Sequence, residues 1–142
     1  MRNLFLDTNV IIDVLADRKP FSASSTTLFD YADRGKVNLF VSALSYSNIY
    51  YIIRKSCSHK EMLSLLRDLD AIAETLDVTR QIITNSLNGS FKDFEDSIQY
   101  NTAVANKKMD AIVTRDPKGF KNDNIAVFTP EEALSMIESA GS

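Results

Sequence analysis

Apolar and polar residues alternate along this chain in a way that predicts short buried strands separated by amphipathic helices. Leu4, Phe5 and Leu6 form a short apolar run, read as a buried strand, and "NVIIDVLADR" follows with Val10 and Val14 at helical spacing. "SSTTLFDYADRGK" predicts a second helix, stopped by Gly35. Val37 to Val41 is a β-rich run, and Ser42–Lys55 and Lys60–Glu74 read as helices. "TLDVT" is a short candidate strand, Gln81–Leu87 a short helix and Lys92–Lys108 a longer one. Ala111–Thr114 and "NIAVFT" are the last strands, and "PEEALSMIES" opens a final helix with Pro130 in its first turn.

Short apolar strands spaced by helices imply a mostly parallel sheet covered on both faces, an α/β class chain. Ligands of such open sheets sit at the carboxyl ends of the strands. Asp7 follows the first strand, Ser42 the second, and Thr114, Arg115 and Asp116 the fourth, so all are expected at one edge.

A length of 142 residues is most simply one domain, residues 1–142. The single cysteine, Cys57, excludes an internal disulfide framework, which fits a reducing compartment. Asp7 and Asp13 interrupt the first apolar stretch, so no signal peptide is expected there. No apolar run approaches the roughly 20 residues of a membrane span, and the expectation is a cytoplasmic protein with no membrane partner. A net charge of −3 argues against a large basic nucleic-acid surface but leaves room for a local one. It also permits a gathering of acids around a cation.

"KDFEDSIQY" places Asp93 and Asp96 on one face of a helix's first turn. Asp93 is a natural N-cap. Asp96 precedes Ser97, Tyr100 and Val104 on the face expected to pack on the sheet. Asp7 alone reads equally as a cap or a ligand, and Asp116 alone reads as a turn residue in "RDPKG". Together, three carboxylates from distant parts of the chain fall at one sheet edge. Like charges packed closely raise their pKa values or demand a counter-ion. All-oxygen ligation, with one histidine and one thiol in the whole chain, suits Mg²⁺ or Mn²⁺ and not Zn²⁺. His59 and Cys57 lack partners for catalysis and read as a solvated or capping residue and a packed small hydrophobe. No GxGxxG or P-loop pattern is present.

The stretches "FLDTNVIID", "VSALS", "DFEDSIQYNTAVA" and "AIVTRDPKGF" resemble, in order and spacing, the motifs of the PIN-domain family. The resemblance spans nearly the whole chain and is strongest to the single-domain bacterial members, the VapC-type toxins. It implies a three-layer α/β/α sandwich around a central, mostly parallel sheet. It also implies a Mg²⁺- or Mn²⁺-dependent endoribonuclease, with an antitoxin partner and homodimerisation through helices near "YSNIYYIIRK". By motif match, Asp7, Asp96 and Asp116 correspond to the family's metal-binding and catalytic acids. Asn9, Ser42 and Thr114 match polar positions that support them. At Asn48 the family usually carries glutamate, so the site here would hold one negative charge fewer. Arg115 and Lys118, with Lys121, are the basic residues expected nearest the site, placed to meet RNA phosphates. The alternative reading is a catalytically weakened PIN fold that acts as an RNA- or protein-binding module.

Overall fold

The computed structural model describes residues 2–120 and 124–140. Lys121 therefore lies outside the described residues. Among the described residues, five strands, β1 (Arg2–Leu6), β2 (Val37–Ser42), β3 (Ala73–Leu76), β4 (Ala111–Val113) and β5 (Ala126–Phe128), form one sheet in the order β3-β2-β1-β4-β5. Every pairing is parallel. The described residues form seven helices, six between strands and the last after β5: α1 (Thr8–Leu15), α2 (Ser22–Asp33), α3 (Ala43–Ile53), α4 (His59–Ile72), α5 (Arg80–Leu87), α6 (Phe94–Ala105) and α7 (Pro130–Ala140). A 3-10 turn covers Pro117–Phe120.

The pleat sorts the apolar side chains onto two faces. Leu4, Leu6, Leu39, Val41 and Val113 point into a large core closed by Val10, Ile11, Leu28, Ile49, Met62, Leu69, Ala133 and Ile137. Phe5, Phe40 and Ile112 point the other way, against Tyr100, Ala103 and Phe120. Helices thus cover both faces, giving the α/β/α sandwich expected from the sequence. Leu4, Phe5 and Leu6 at the centre have no exposed surface, which is why this strand is apolar on both faces rather than alternating.

Element boundaries shift from the sequence expectation chiefly in two places. The helix expected over Lys60–Glu74 ends at Ile72, and β3 runs over Ala73–Leu76 instead of starting at Thr75. Pairing decides this point, since Ala73 and Thr75 lie opposite Leu39 and Val41. The Lys92–Lys108 helix contracts to Phe94–Ala105, with Asp93 as its cap.

The chain order places the site. The chain steps outward from β1 to β2 to β3, then crosses back through α5 and α6 to β4 beside β1. The strand order reverses between β1 and β4, where open sheets form their ligand crevice. Asp7 and Thr114 stand at the carboxyl ends of these two strands. Among the described residues, no helix is long and apolar enough to cross a membrane.

Candidate active site

Asp7 is held from both sides. As N-cap of α1 it accepts the Thr8 backbone N–H at 2.8 Å on Oδ1, and the Thr114 hydroxyl donates to Oδ2 at 2.9 Å. The Asp7 N–H donates to the Val113 carbonyl at 2.9 Å, tying the end of β1 to the end of β4. The cap and ligand readings of Asp7 are therefore not alternatives, because the cap fixes a carboxylate that still faces the cleft. The Thr114 oxygen also accepts the Asp116 backbone N–H at 3.2 Å, so one hydroxyl links the Asp7 carboxylate to the backbone of a second acid.

Asp96 enters from the first turn of α6. Asp93 caps that helix, accepting the Asp96 N–H at 2.9 Å, as its sequence context predicted. Gly119 lies beneath the acids; a Cβ there would stand 3.1 Å from Asp96 Oδ2 and 3.8 Å from Asp116 Oδ2. Two adjoining clefts meet at this point. One, of about 510 Å³, is lined by Asp7, Asn9, Glu95, Thr114 and Arg115 among others; the other, of about 560 Å³, by Ser90, Phe91, Lys92, Lys118 and Gly119. Asp93, Asp96 and Asp116 line both.

Crowding of acids shows in their protonation. Burial raises the pKa of Asp7 above its ordinary value, offset in part by the Thr114 and Thr8 hydrogen bonds. Burial, together with repulsion from Asp7, Asp93, Glu95 and Asp116, pushes Asp96 up to about 7. A raised pKa means the folded state holds protons that the unfolded chain releases. The stability tied to protonated Asp96 is thus present below about pH 4 and is lost as pH rises through about 7. Metal-free protein is expected to melt lower at pH 8 than at pH 5, and Asp96→Asn is expected to flatten that difference. Melting curves in EDTA at both pH values check it; equal pH dependence in the two proteins would contradict the crowding.

The donor set is oxygen only, which suits a hard divalent cation. The carboxylates line the clefts without yet closing on a point: among the described residues, no three Asp, Glu, His or Cys groups are gathered tightly enough to hold a metal ion.

The other residues named from sequence divide. Asn9 is exposed on the first turn of α1 and lines the first cleft. Ser42 is fully buried and caps α3, accepting the Leu44 N–H at 3.1 Å, and lines neither cleft. Asn48 is half-buried on α3 and lines neither cleft. Lys118 is exposed on the rim of the second cleft. Arg115 lines the first, but its charge is engaged: Nε lies 2.9 Å from Asp13, and the guanidinium sits 4.1 Å above the Phe21 ring. His59 begins α4 and pairs with the Tyr50 hydroxyl at 2.8 Å, away from the acids.

Sequence reasoning missed two supports. Asp13 is fully buried on α1, within 3.2 Å of Arg18 Nε as well as near Arg115. Gln99, one turn beyond Asp96, donates to the Thr8 hydroxyl at 2.9 Å and to Ser45 at 3.3 Å, while Thr8 and Ser45 also pair at 3.0 Å. This buried node locks α6 to α1 and α3, and so fixes Asp96 relative to Asp7. The available signal was a polar residue on each helix at a spacing that should face the core.

The family model of the PIN domain matches residues 3–118. The chain belongs to the PIN domain family. Ribonuclease VapC1 of Aquifex aeolicus (strain VF5) is 28% identical over 134 residues, 91% of each chain. Among solved structures, DNA-bound VapBC from Salmonella typhimurium superposes with a TM-score of 0.68 at 18% identity, over 92% of this chain and 99% of that one. A toxin–antitoxin complex from Klebsiella pneumoniae superposes with a TM-score of 0.63 at 20% identity, over 89% and 97%.

Proposed function

We propose that this chain is a divalent-metal-dependent endoribonuclease, the toxin of a toxin–antitoxin pair, acting in the cytoplasm. One observation supports the chemistry: Asp7, Asp96 and Asp116 line one cleft at the strand-order reversal, with Asp96 raised to about 7 by burial and its acidic neighbours. Membership of the PIN family and the similarity to a VapC ribonuclease support the reaction class.

Asp7, Asp96 and Asp116 would hold Mg²⁺ or Mn²⁺. When bound, such a cation supplies positive charge against the transferring phosphate and makes water a better nucleophile at neutral pH. The chain's own residues do the positioning. Thr114 holds Asp7 by its hydroxyl and the Asp116 backbone by its oxygen. Asp93 sets the first turn of α6, and the Gln99 node keeps that helix at its distance from α1. Asn9 stands on the cleft rim as a polar neighbour of Asp7.

The second reading, a weakened PIN fold that binds RNA or protein, is favoured by two features. The acids do not close on a point, and Asn48 supplies no carboxylate from α3. Thermal stability against Mn²⁺ separates the two. A binding site gains about 2.7 kcal/mol at a ligand concentration about 100 times its Kd, and the gain should vanish in Asp96→Asn. No Mn²⁺ stabilisation in the parent protein would favour the binding module.

An antitoxin is the proposed protein partner, on the likeness to VapBC and related complexes. We also propose a homodimer through α3, where Tyr51 and Ile52 are 61% and 55% exposed, far beyond what a solvated helix face needs. Sedimentation at micromolar concentration should give twice the chain mass, and Ile52→Glu should give the monomer. A monomeric parent protein would remove the dimer.

A further inference from the structure

The two clefts at the acids differ in charge, and the difference points to a direction for the substrate. On the Asp7 side the lining adds Asp7 and Glu95 to the shared acids, and its one cation, Arg115, already faces Asp13. On the other side the lining adds Lys92 and Lys118 and no further acid. Both lysines are exposed, and neither has a carboxylate within ion-pair distance among the described residues.

We propose that the cleft between the 90–92 loop and the 3-10 turn seats a phosphate of the RNA strand next to the one being cleaved, with Lys92 and Lys118 as its counter-charges. This rests on the ribonuclease reading and adds a substrate subsite to it. The two lysines come from different segments: Lys92 from the loop before α6, Lys118 from the turn after β4. Their backbones are fixed relative to each other. Phe91, beside Lys92, packs edge-on against Phe120, two residues after Lys118, with ring centroids 6.2 Å apart, and lies 5.1 Å from the Tyr100 ring. A preformed rim loses less freedom when it closes on a ligand.

The floor is open for the same strand. Gly119 separates Lys118 from Phe120, and any side chain there would crowd Asp96 Oδ2 at 3.1 Å. The lack of a side chain keeps the passage from the lysine cleft to the acids clear. At about 560 Å³ the cleft is within the usual range for a bound small group. The polarity follows from charge: a polyanion crossing the acids is repelled on the Asp7 side and balanced on the lysine side.

The test uses a fluorescein-labelled single-stranded oligoribonucleotide and the parent protein beside Lys92→Ala, Lys118→Ala, the double variant and Lys108→Ala. Lys108 is also an exposed lysine, at the opposite end of the sheet. Binding is read by anisotropy in EDTA across a KCl series. Each lysine that meets a phosphate contributes about 0.7 to the slope of log K against log salt on a single strand. Lys92→Ala and Lys118→Ala should each lower that slope by about 0.7, and the double variant by about 1.4, while Lys108→Ala leaves it unchanged. Steady-state cleavage in Mn²⁺ should show KM raised several-fold in the two cleft variants. Slopes unchanged in both, an equal drop in Lys108→Ala, or no measurable binding by the parent protein overturns the subsite. A parent protein that binds through these lysines but cuts no RNA contradicts the ribonuclease reading and upholds the phosphate contacts. One that cuts RNA with KM and slope indifferent to both lysines contradicts the subsite alone.

Discussion

Asp7→Asn and Asp116→Asn are each expected to lower metal-dependent RNA cleavage by roughly a thousandfold, since ligated metal is worth several kcal/mol of charge stabilisation. The fold should survive both changes. Asparagine caps a helix about as well as aspartate, so in Asp7→Asn the new amide oxygen can keep the Thr8 N–H bond now measured at 2.8 Å. The amide nitrogen can donate to the Thr114 oxygen where the carboxylate now accepts. The repulsion that raises Asp96 also weakens when Asp7 loses its charge, so metal-free stability should hold or increase. Asp116 is exposed, and its substitution removes charge without opening a cavity. Cleavage rates and metal-free melting curves of both variants check the pair of expectations. Full activity in both would remove the site, and a large loss of metal-free stability would make the acids structural.

The largest effect on stability is expected at Asp13. Its carboxylate is fully buried, and two guanidiniums stand 2.9 and 3.2 Å away. Burial raises its pKa more than Arg115 and Arg18 lower it, so the pairing does not fully offset desolvation. Among the described residues, neither oxygen has a hydrogen bond of good geometry, so the contact is held by charge. Removing one partner of a buried ion pair costs about 3–5 kcal/mol, because the remaining charge is stranded. The Arg115 and Arg18 side chains here retain 28% and 39% exposure, although Arg18 Nε and Nη2 and Arg115 Nε are themselves buried, so the cost is reduced only in part. Asp13→Ala is therefore expected to lose about 2–3 kcal/mol, and Asp13→Asn less. Arg115 directly precedes Asp116, so Asp13→Ala should also weaken Mn²⁺ binding. Denaturant melts of both variants measure the loss. A change within about 0.5 kcal/mol, the range of an ordinary surface substitution, would show that Asp13 holds nothing.

The sequence carried the architecture because the central strand has one simple requirement. Leu4, Phe5 and Leu6 are apolar in succession only because both faces are covered. Once strand and helix order is known, the carboxyl ends of β1 and β4 follow, and Asp7, Thr114 and Asp116 with them. Asp96 was legible from its place at a helix start with an apolar face behind it. Less legible was anything set by pairing across the chain. The β3 boundary depends on Leu39 and Val41 opposite it, since Ala71–Ala73 continue a helical pattern equally well. Arg115 reads from sequence as a free cation beside the site, and only the packing of α1 brings Asp13 to it. Gln99 looks like one more polar helix residue until Thr8 and Ser45 close around its amide. Lys92 gains meaning only when Phe91 pins its loop against Phe120.

The acids at the junction of β1, β4 and α6 are proposed to cut RNA with a divalent cation, and everything else in the functional reading depends on that. The most direct measurement compares RNA cleavage by the parent protein and by Asp96→Asn from matched preparations, in Mn²⁺ and in EDTA. Cleavage by the parent protein is expected in Mn²⁺, none in EDTA, and at most a trace by Asp96→Asn. Equal cleavage by the two proteins, or cleavage that persists in EDTA, would contradict it.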